Sequence, residues 1–212
     1  MLNGKGFDLW ADDYDKAVGL SDEDNSYPFA GYKNILNEIY KLILDSSGKD
    51  ILDLGFGTAT LASKLYEKGF NIYGQDFSDR MIEIARKKMP QAKLFKGDFR
   101  DGLVEGLRDQ KYHAIVATYS LHHLKDLDKV TLIKNLLTRL KNGGKLYIGD
   151  VAFKSRKDHD MCKHEAGDMW DDDEIYFVID ELKPYFKDMK FKKFSECSGL
   201  ITIKNNKNLR NL

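Results

Sequence analysis

Apolar strand segments alternate with helical segments between residues 50 and 151, and this alternation restricts the fold more than any other feature. The strand segments are short and apolar, whereas the helical segments repeat apolar residues every three or four positions. The predicted strands are Asp50–Leu54, Phe70–Gly74, Ala92–Lys96, Tyr112–Thr118 and Lys145–Val151, and the predicted helices are Thr58–Lys68, Ser78–Met89 and Asp128–Leu140. The pattern predicts an α/β fold, a doubly wound, mostly parallel sheet with helices on both faces.

The end of the chain has a different pattern. Lys190–Glu196 and Leu200–Lys204 are strand segments separated by three residues, and so short a connection permits only an antiparallel hairpin. We therefore expect an antiparallel pair at one edge of the sheet. Upstream, Phe7–Val18 and Phe29–Leu44 have helical periodicity. No boundary to a second domain is visible, so residues 1–212 are predicted to form a single domain.

Composition argues against several classes of protein. Lys plus Arg and Asp plus Glu both number 34, and zero net charge disfavours a chain that grips nucleic-acid backbones. No apolar stretch approaches the roughly 18 residues of a membrane helix, and the N-terminus does not resemble a secretory signal. Two distant cysteines, Cys162 and Cys197, suit a reducing compartment. We therefore expect a cytoplasmic protein without a membrane or nucleic-acid partner.

The most informative loop follows the first predicted strand. Gly55-Phe56-Gly57 forms a Gly-rich turn before a helix, where the backbone can approach a ligand closely and the helix offers free N–H donors. Asp76 stands at the end of the second strand, 21 residues beyond Gly55. A carboxylate there can accept hydrogen bonds from both hydroxyls of a ribose. The turn therefore predicts a site for an adenosyl ligand or a dinucleotide.

Two features favour an adenosyl sulfonium over a dinucleotide. The nicotinamide fingerprint G-x-G-x-x-G would place its third Gly at Thr60, where it is absent. Asp53 lies inside the strand before the turn, and a buried acid needs a partner such as the amino group of a cationic amino acid. Asp98 follows the third strand, where it could accept a hydrogen bond from the exocyclic amine of adenine.

Together these motifs resemble the class I S-adenosylmethionine-dependent methyltransferases. The resemblance covers about residues 50–151 through ILDLGFGTA, IYGQDFSDRMIEIAR, KGD, IVATYSLHHL and LKNGGKLYIGD. It implies a seven-stranded sheet of order 3-2-1-4-5-7-6, with strand 7 antiparallel. FDLWADDYD and YPFAGYKNIL resemble the N-terminal lid of a bacterial subgroup of small methyltransferases. Residues 1–47 are therefore expected to form a helical lid.

The resemblance implies contacts to S-adenosylmethionine at Gly55, Asp76 and Asp98, and the lid pattern adds Tyr14. With the neighbouring residues of these motifs, the expected contacts are Tyr14, Asp53, Gly55, Phe56, Gly57, Asp76, Phe77, Met81, Gly97, Asp98, Phe99 and Thr118. The chain departs from the family pattern at three positions. Ala59 stands where a third Gly is usual, His113 stands where an Asp often opens strand 4, and Phe56 replaces a smaller residue. We expect Phe56 to pack over the methionine part of the cofactor.

Candidate catalytic residues lie at the ends of two neighbouring strands. Strand 4 ends near His122 and His123, and strand 5 ends at Asp150. Because the carboxyl ends of neighbouring parallel strands meet, one of the imidazoles could contact Asp150. An imidazole oriented by Asp150, with a pKa near neutrality, would serve as a general base. The alternative is that a His caps the following helix or packs in the core.

Aromatic residues are the candidates for the acceptor site, because aromatic faces attract a sulfonium and exclude water. They are Tyr27, Phe29, Tyr32, Tyr119 and Trp170. Residues 153–188 are expected to form a variable region on the acceptor side.

Two polar stretches of that region have ordinary interpretations. His159, Cys162 and His164 have spacings that do not match zinc patterns, so no metal site is predicted. Asp171–Glu174 resembles the acidic first turn of a helix over Ile175–Phe186.

The sequence therefore predicts methyl transfer from S-adenosylmethionine to a small-molecule acceptor. Two alternatives remain open at this point. One is a binding module for S-adenosylmethionine without catalysis, and the other is a methyltransferase acting on RNA, DNA or protein. The chain lacks the D/N/S/Q-P-P-aromatic signature of enzymes that methylate the amino groups of flipped bases. The oligomeric state is open, and a homodimer is compatible with the sequence.

Overall fold

Helices pack on both faces of one mixed sheet, as the alternating pattern predicts. This architecture is seen in a computed structural model, which describes residues 26–205. The predicted helix Phe7–Val18 and the candidate cofactor contact Tyr14 lie outside the described residues. Two clusters of buried apolar side chains form the core, one on each face of the sheet.

The strand order of the sheet agrees with the predicted order. The strands are β1 (Asp50–Leu54), β2 (Asn71–Asp76), β3 (Lys93–Lys96), β4 (Tyr112–Thr118), β5 (Leu140–Phe153), β6 (Phe177–Val178), β7 (Lys190–Lys193) and β8 (Ser198–Lys204). They lie in the order β3-β2-β1-β4-β5-β8-β7, and β8 is antiparallel to both β5 and β7. The order 3-2-1-4-5-7-6 and the antiparallel hairpin are thus confirmed, with β8 and β7 as predicted strands 7 and 6. The short β6 is an addition that pairs with the carboxyl end of β5.

The helices lie on the two faces according to their apolar stripes. They are α1 (Tyr32–Leu44), α2 (Thr60–Glu67), α3 (Asp79–Lys88), α4 (Glu105–Arg108), α5 (Asp126–Thr138), α6 (Arg156–Ala166) and α7 (Ile179–Leu182). α1, α2, α3 and α6 contribute buried side chains to one core cluster, and α4, α5 and α7 contribute to the other. Ser78 caps α3 as predicted, because its Oγ accepts a hydrogen bond from the Met81 N–H at 3.1 Å.

The prediction of a helix over Ile175–Phe186 is wrong. β6 and the four-residue α7 occupy this segment instead. Every residue from Tyr176 to Ile179 is buried, and a continuously buried apolar run beside a long parallel neighbour favours a strand. Asp171–Glu174 therefore do not form the first turn of a helix. The Ile175 N–H donates to the His122 carbonyl at 2.8 Å, which brings Glu174 to the end of β4.

His113 has a structural role at the amino end of β4. A Cβ on Gly48 would lie 1.8 Å from the His113 ring, so the ring packs directly on the Gly48 backbone. The Asp50 N–H donates to His113 Nδ1 at 3.2 Å. This departure from the family pattern thus lies at the opposite end of β4 from the candidate site. Among residues 26–205, no helix is long and apolar enough to cross a membrane.

Candidate active site

The Gly-rich turn after β1 is closed on one side and open on the other. Gly55 has φ +67°, and a Cβ there would lie 2.6 Å from the Ser120 Cβ. Ser120 also donates from Oγ to the Leu54 carbonyl at 3.0 Å, so the turn after β4 packs against the turn after β1. Gly57 has φ +53°, and a Cβ there would meet open space. The backbone at Gly57 is thus accessible to a ligand at the carboxyl edge of the sheet.

Asp76 connects this turn to the next helix. Its Oδ2 accepts a hydrogen bond from the Gly57 N–H at 2.9 Å, and its Oδ1 accepts one from the Ser78 N–H at 2.9 Å. The predicted proximity of Asp76 to the Gly-rich turn is confirmed. These two contacts fix the Asp76 carboxylate beside the Gly-rich turn, where a ligand ribose would lie if the turn binds an adenosyl group.

Asp53 is a buried acid inside β1. The residue is 3% exposed, and its Oδ1 has no hydrogen-bond partner within residues 26–205. Burial, with a smaller effect from the Asp76 charge, raises the pKa of Asp53 to about 7. A buried carboxyl group without a partner is unfavourable unless a ligand or water satisfies it. The position therefore suits a cationic group on a ligand.

Ala59 takes the backbone conformation that a glycine would favour. Its φ is +63°, in the left-handed region, and it is the cap residue of α2. This explains why the family pattern has a third Gly here. The loop keeps its shape with Ala at the expense of some backbone strain.

The remaining predicted cofactor residues have mixed environments. Phe56 is buried in the core against β2, where a Cβ on Gly74 would lie 2.6 Å from its ring. Contact of this ring with the methionine part of a cofactor stays a prediction. Met81, in the first turn of α3, is also buried. Phe77 and Thr118 are half-buried at the carboxyl ends of β2 and β4.

The Gly97-Asp98-Phe99 turn has a well-defined structural role. A Cβ on Gly97 would lie 2.4 Å from Val104, so this glycine permits close packing. Asp98 accepts hydrogen bonds from the Arg100 N–H at 2.8 Å and from Arg100 Nε at 2.7 Å. Phe99 lies near the Gly-rich turn, 3.5 Å from where a Gly55 Cβ would be. Contact of Asp98 with adenine stays a prediction.

The predicted meeting of a histidine with Asp150 is confirmed for His122. Its Nδ1 lies 2.6 Å from Asp150 Oδ1, and its Nε2 lies 3.3 Å from Glu174 Oε1. Asp150 is fully buried and also accepts hydrogen bonds from the Leu121 N–H at 3.2 Å and the Val151 N–H at 2.8 Å. These contacts fix the carboxylate and, through it, the orientation of the His122 ring.

Neither histidine has the near-neutral pKa that the sequence predicts. Burial favours neutral His122, but Asp150 and Glu174 outweigh burial and raise its pKa to about 10. Burial and the His122 charge lower the pKa of His123 to about 4. His123 lies against the His122 ring, with centroids 4.2 Å apart, and its Nδ1 is 3.9 Å from Glu174 Oε1. The two adjacent imidazoles are therefore in opposite electrostatic environments.

Glu174 and Tyr176 are members of the site that the sequence analysis missed. Tyr176 donates from its hydroxyl to Glu174 Oε2 at 2.7 Å. Both residues reach the histidines because the segment before β6 runs along the end of β4. The signal that could have found them is the apolar run from Ile175 to Ile179, which fits a buried strand as well as a helix.

Aromatic side chains form two groups, and the first contacts this cluster through Tyr176, whose ring centroid lies 6.1 Å from that of His122. Tyr27 stacks on Trp170 with centroids 5.2 Å apart and planes at 15°, and the Trp170 and Tyr176 rings meet edge to face at 4.8 Å. In the second group, the ring centroids of Phe29 and Tyr32 each lie 5.2 Å from the ring centroid of Tyr119. All five aromatic residues that the sequence predicts for the acceptor site thus lie in these groups.

The fold and this turn define a class of protein. The doubly wound sheet, its antiparallel β8 and the Gly-rich turn facing Asp76 together have the form of the class I methyltransferases, as the sequence resemblance predicts. Residues 51–144 match the model of a family described as methyltransferase domain.

The relatives identify the family. An uncharacterized methyltransferase of Anoxybacillus flavithermus is 36% identical over 160 residues, covering 76% of this chain and 72% of the relative. An uncharacterized methyltransferase of a Geobacillus species is 35% identical over 193 residues and 87% of each chain. The chain belongs to this family of methyltransferases. This family assignment identifies the chain as an enzyme and excludes the alternative of a non-catalytic binding module.

A solved structure supports the fold. The magnesium protoporphyrin IX methyltransferase from Synechocystis PCC 6803, determined with bound S-adenosylhomocysteine, aligns with a TM-score of 0.65 at 17% identity. The alignment covers 84% of this chain and 85% of that one.

Proposed function

We propose that this enzyme transfers the methyl group of S-adenosylmethionine to a small-molecule acceptor, which it binds against His122, His123 and Glu174. The observation that carries the proposal is the packing of Ser120 on Gly55. It joins the turn suited to the methyl donor to the histidine cluster two residues further along the chain.

The residues at the Gly-rich turn fit S-adenosylmethionine. In the described part of the chain, a buried oxygen of Asp53 has no partner and would receive a cationic group, and Gly57 faces open space. Asp76 is held beside Gly57, where its carboxylate would face the ribose hydroxyls. When bound, this cofactor supplies an electrophilic methyl group on a sulfonium. The neighbouring aromatic residues Phe29, Tyr32 and Tyr119 would exclude water from that methyl group.

The main contribution of the protein is alignment of the acceptor with the methyl group. Placing two reactants in line can supply roughly 7–11 kcal/mol of the barrier reduction. The fixed Asp150–His122 pair provides a rigid wall for this purpose. Residues 1–47 would complete the enclosure as a lid, and residues 153–188 would provide the acceptor side through Trp170 and Glu174.

The burial of His122, His123 and Glu174 favours a small acceptor over a macromolecule. The side chains of His122, Glu174 and His123 are 8%, 20% and 24% exposed, and Tyr27 and Trp170 pack on the adjoining Tyr176. A folded protein or an RNA helix could not bring its surface to these groups without displacing these aromatic residues. The zero net charge of the chain also disfavours RNA. The Synechocystis neighbour, by its name, methylates a small molecule, magnesium protoporphyrin IX.

Labelling of a cell extract tests the proposal. The enzyme is incubated with methyl-labelled S-adenosylmethionine and an extract separated by ultrafiltration into small molecules and macromolecules. We expect label in the small-molecule fraction with wild type and little with Asp76→Ala, whose fold is checked by circular dichroism. Label confined to RNA or protein would contradict a small-molecule acceptor.

A further inference from the structure

Three potential metal ligands converge at the carboxyl ends of β4 and β5. Nitrogens of His122 and His123 and an oxygen of Glu174 all lie within 4.8 Å of one another. We propose that these three side chains form a site for a divalent transition-metal ion. Adjacent ligands of a tetrahedral ion with 2.1 Å bonds lie about 3.4 Å apart. The separations of 3.3 Å from Glu174 to His122 and 3.9 Å from Glu174 to His123 are close to this value.

The contacts of His122 direct its Nε2 at Glu174. Asp150 is fixed by two backbone N–H donors, and the short contact to it directs His122 Nδ1 at Asp150. Nε2 then faces Glu174 Oε1 at 3.3 Å, and in the metal-free protein a ring proton lies between these two atoms. A divalent ion would replace that proton, and His123 Nδ1 lies 3.9 Å from the same oxygen.

The surrounding shell is typical of a metal site. Metal-ligating histidines usually donate their other ring N–H to a carboxylate, and ligating carboxylates are hydrogen-bonded in turn. Asp150 has the first role toward His122, and Tyr176 has the second toward Glu174. Both supporting groups lie on or beside the rigid carboxyl end of β5.

Charge also favours a divalent ion. Asp150 and Glu174 bring two carboxylates to a largely buried place. The buried Lys129 is engaged elsewhere, by Asp126 at 3.2 Å and by the Ile175 carbonyl. Two imidazoles and one carboxylate suit Zn²⁺, Mn²⁺, Fe²⁺ or Co²⁺ better than Mg²⁺ or Ca²⁺, which prefer oxygen ligands. Three protein ligands leave a coordination position for an oxygen or nitrogen of the acceptor, a role that rests on the proposed function.

Metal titration of the full chain tests the site without an activity assay. Chelator-treated wild type is titrated with Zn²⁺ by calorimetry and with Co²⁺ by visible absorption. We expect one equivalent of each metal and the ligand-field spectrum of a nitrogen and oxygen site. Loss of an outer-shell partner weakens metal binding about 10–100-fold, so loss of the Glu174 charge in Glu174→Gln should weaken it by at least as much.

Two further variants complete the design. His123→Ala is the second test, in case Glu174→Gln does not fold, and His164→Gln on the exposed face of α6 is the matched control, expected to bind as wild type does. Wild type that takes up no metal, or folded Glu174→Gln and His123→Ala that keep full affinity, would overturn the site. Thiolate charge-transfer bands from Cys162 or Cys197 would also overturn it. If metal is absent but small-molecule methylation is observed, only the metal site fails. If metal binds and no small molecule is methylated, only the proposed function fails.

Discussion

The buried carboxyl group of Asp53 should make the stability of the ligand-free enzyme fall as the pH rises. Its pKa is raised to about 7 by burial and by Asp76, against about 3.9 in an unfolded chain. Between these values the folded state keeps a proton that the unfolded state has lost. The contribution of Asp53 to stability therefore decreases from about pH 4 to about pH 7 and then levels off. At about 1.4 kcal/mol per pKa unit, the full effect is on the order of 4 kcal/mol.

Asp53→Asn removes this dependence because an amide does not titrate. Urea unfolding of wild type and Asp53→Asn at pH 5, 6, 7 and 8 gives the difference in unfolding free energy at each pH. We expect the variant to gain stability relative to wild type as the pH rises, by several kcal/mol at most. Asp109→Asn, an exposed acid at the end of α4, is the matched control and should show no such trend. Parallel pH profiles for wild type and Asp53→Asn would refute the reasoning.

The same substitution should weaken cofactor binding. A cationic ligand favours ionised Asp53, so binding near pH 6 should release a proton, seen as a dependence of the calorimetric heat on the buffer. Affinity for S-adenosylhomocysteine should rise as the pH increases toward 7 in wild type and should be lower and flat in Asp53→Asn. A variant that is more stable at pH 8 and binds the ligand as well as wild type would show that Asp53 does not contact the ligand.

Three backbone or side-chain changes give further predictions. Ala59→Gly should stabilise the fold by roughly 0.5–1 kcal/mol in urea unfolding, because Gly relieves the positive φ; a loss of stability would contradict this. Gly57→Ala should lose only about 1 kcal/mol of stability but bind S-adenosylhomocysteine about tenfold more weakly or worse, since its methyl group enters the open side of the turn. Gly55→Ala should lose more stability than Gly57→Ala, by about 1–3 kcal/mol, because its added methyl group also collides with Ser120. Equal losses for Gly55→Ala and Gly57→Ala in thermal unfolding would be inconsistent with this packing. Trp170→Ala should raise the KM for the acceptor and leave affinity for S-adenosylhomocysteine unchanged, because its ring stacks on Tyr27; the reverse pattern would assign Trp170 to the cofactor side.

The parts of the site that could be predicted from sequence depend on local rules and sheet geometry. The strand and helix periods establish the parallel sheet, and a parallel sheet brings the ends of neighbouring strands together. That is sufficient to place Asp76 beside Gly57 and His122 beside Asp150. Neither inference needs to know how any loop packs.

The parts that could not be predicted depend on tertiary contacts. Phe177–Val178 forms β6 because the carboxyl end of β5 has a free edge, and nothing in the run from Ile175 to Ile179 itself distinguishes a buried strand from a helix. The position of Glu174 could not be predicted for the same reason. The close approach of the Phe56 ring to Gly74, on another strand, is likewise invisible in the local motif. The pKa of His122 depends on Glu174 as well as on Asp150, and the pKa of His123 depends on burial and on the His122 charge, so neither follows from the sequence.

The donor side of the site, at the Gly-rich turn, and the acceptor side, at His122, differ in whether their buried acids already have partners. One contact joins the two sides. On the donor side, one oxygen of the buried Asp53 has no hydrogen-bond partner within residues 26–205, so a ligand would complete it. On the acceptor side, Asp150 and Glu174 are buried acids that already hold an imidazole between them, so the protein orients this wall before any acceptor arrives. Ser120 belongs to both sides, because it packs on Gly55 and immediately precedes the turn that contains His122. A shift of the donor turn would therefore also move the acceptor wall, which keeps the two reactants in register for an in-line transfer.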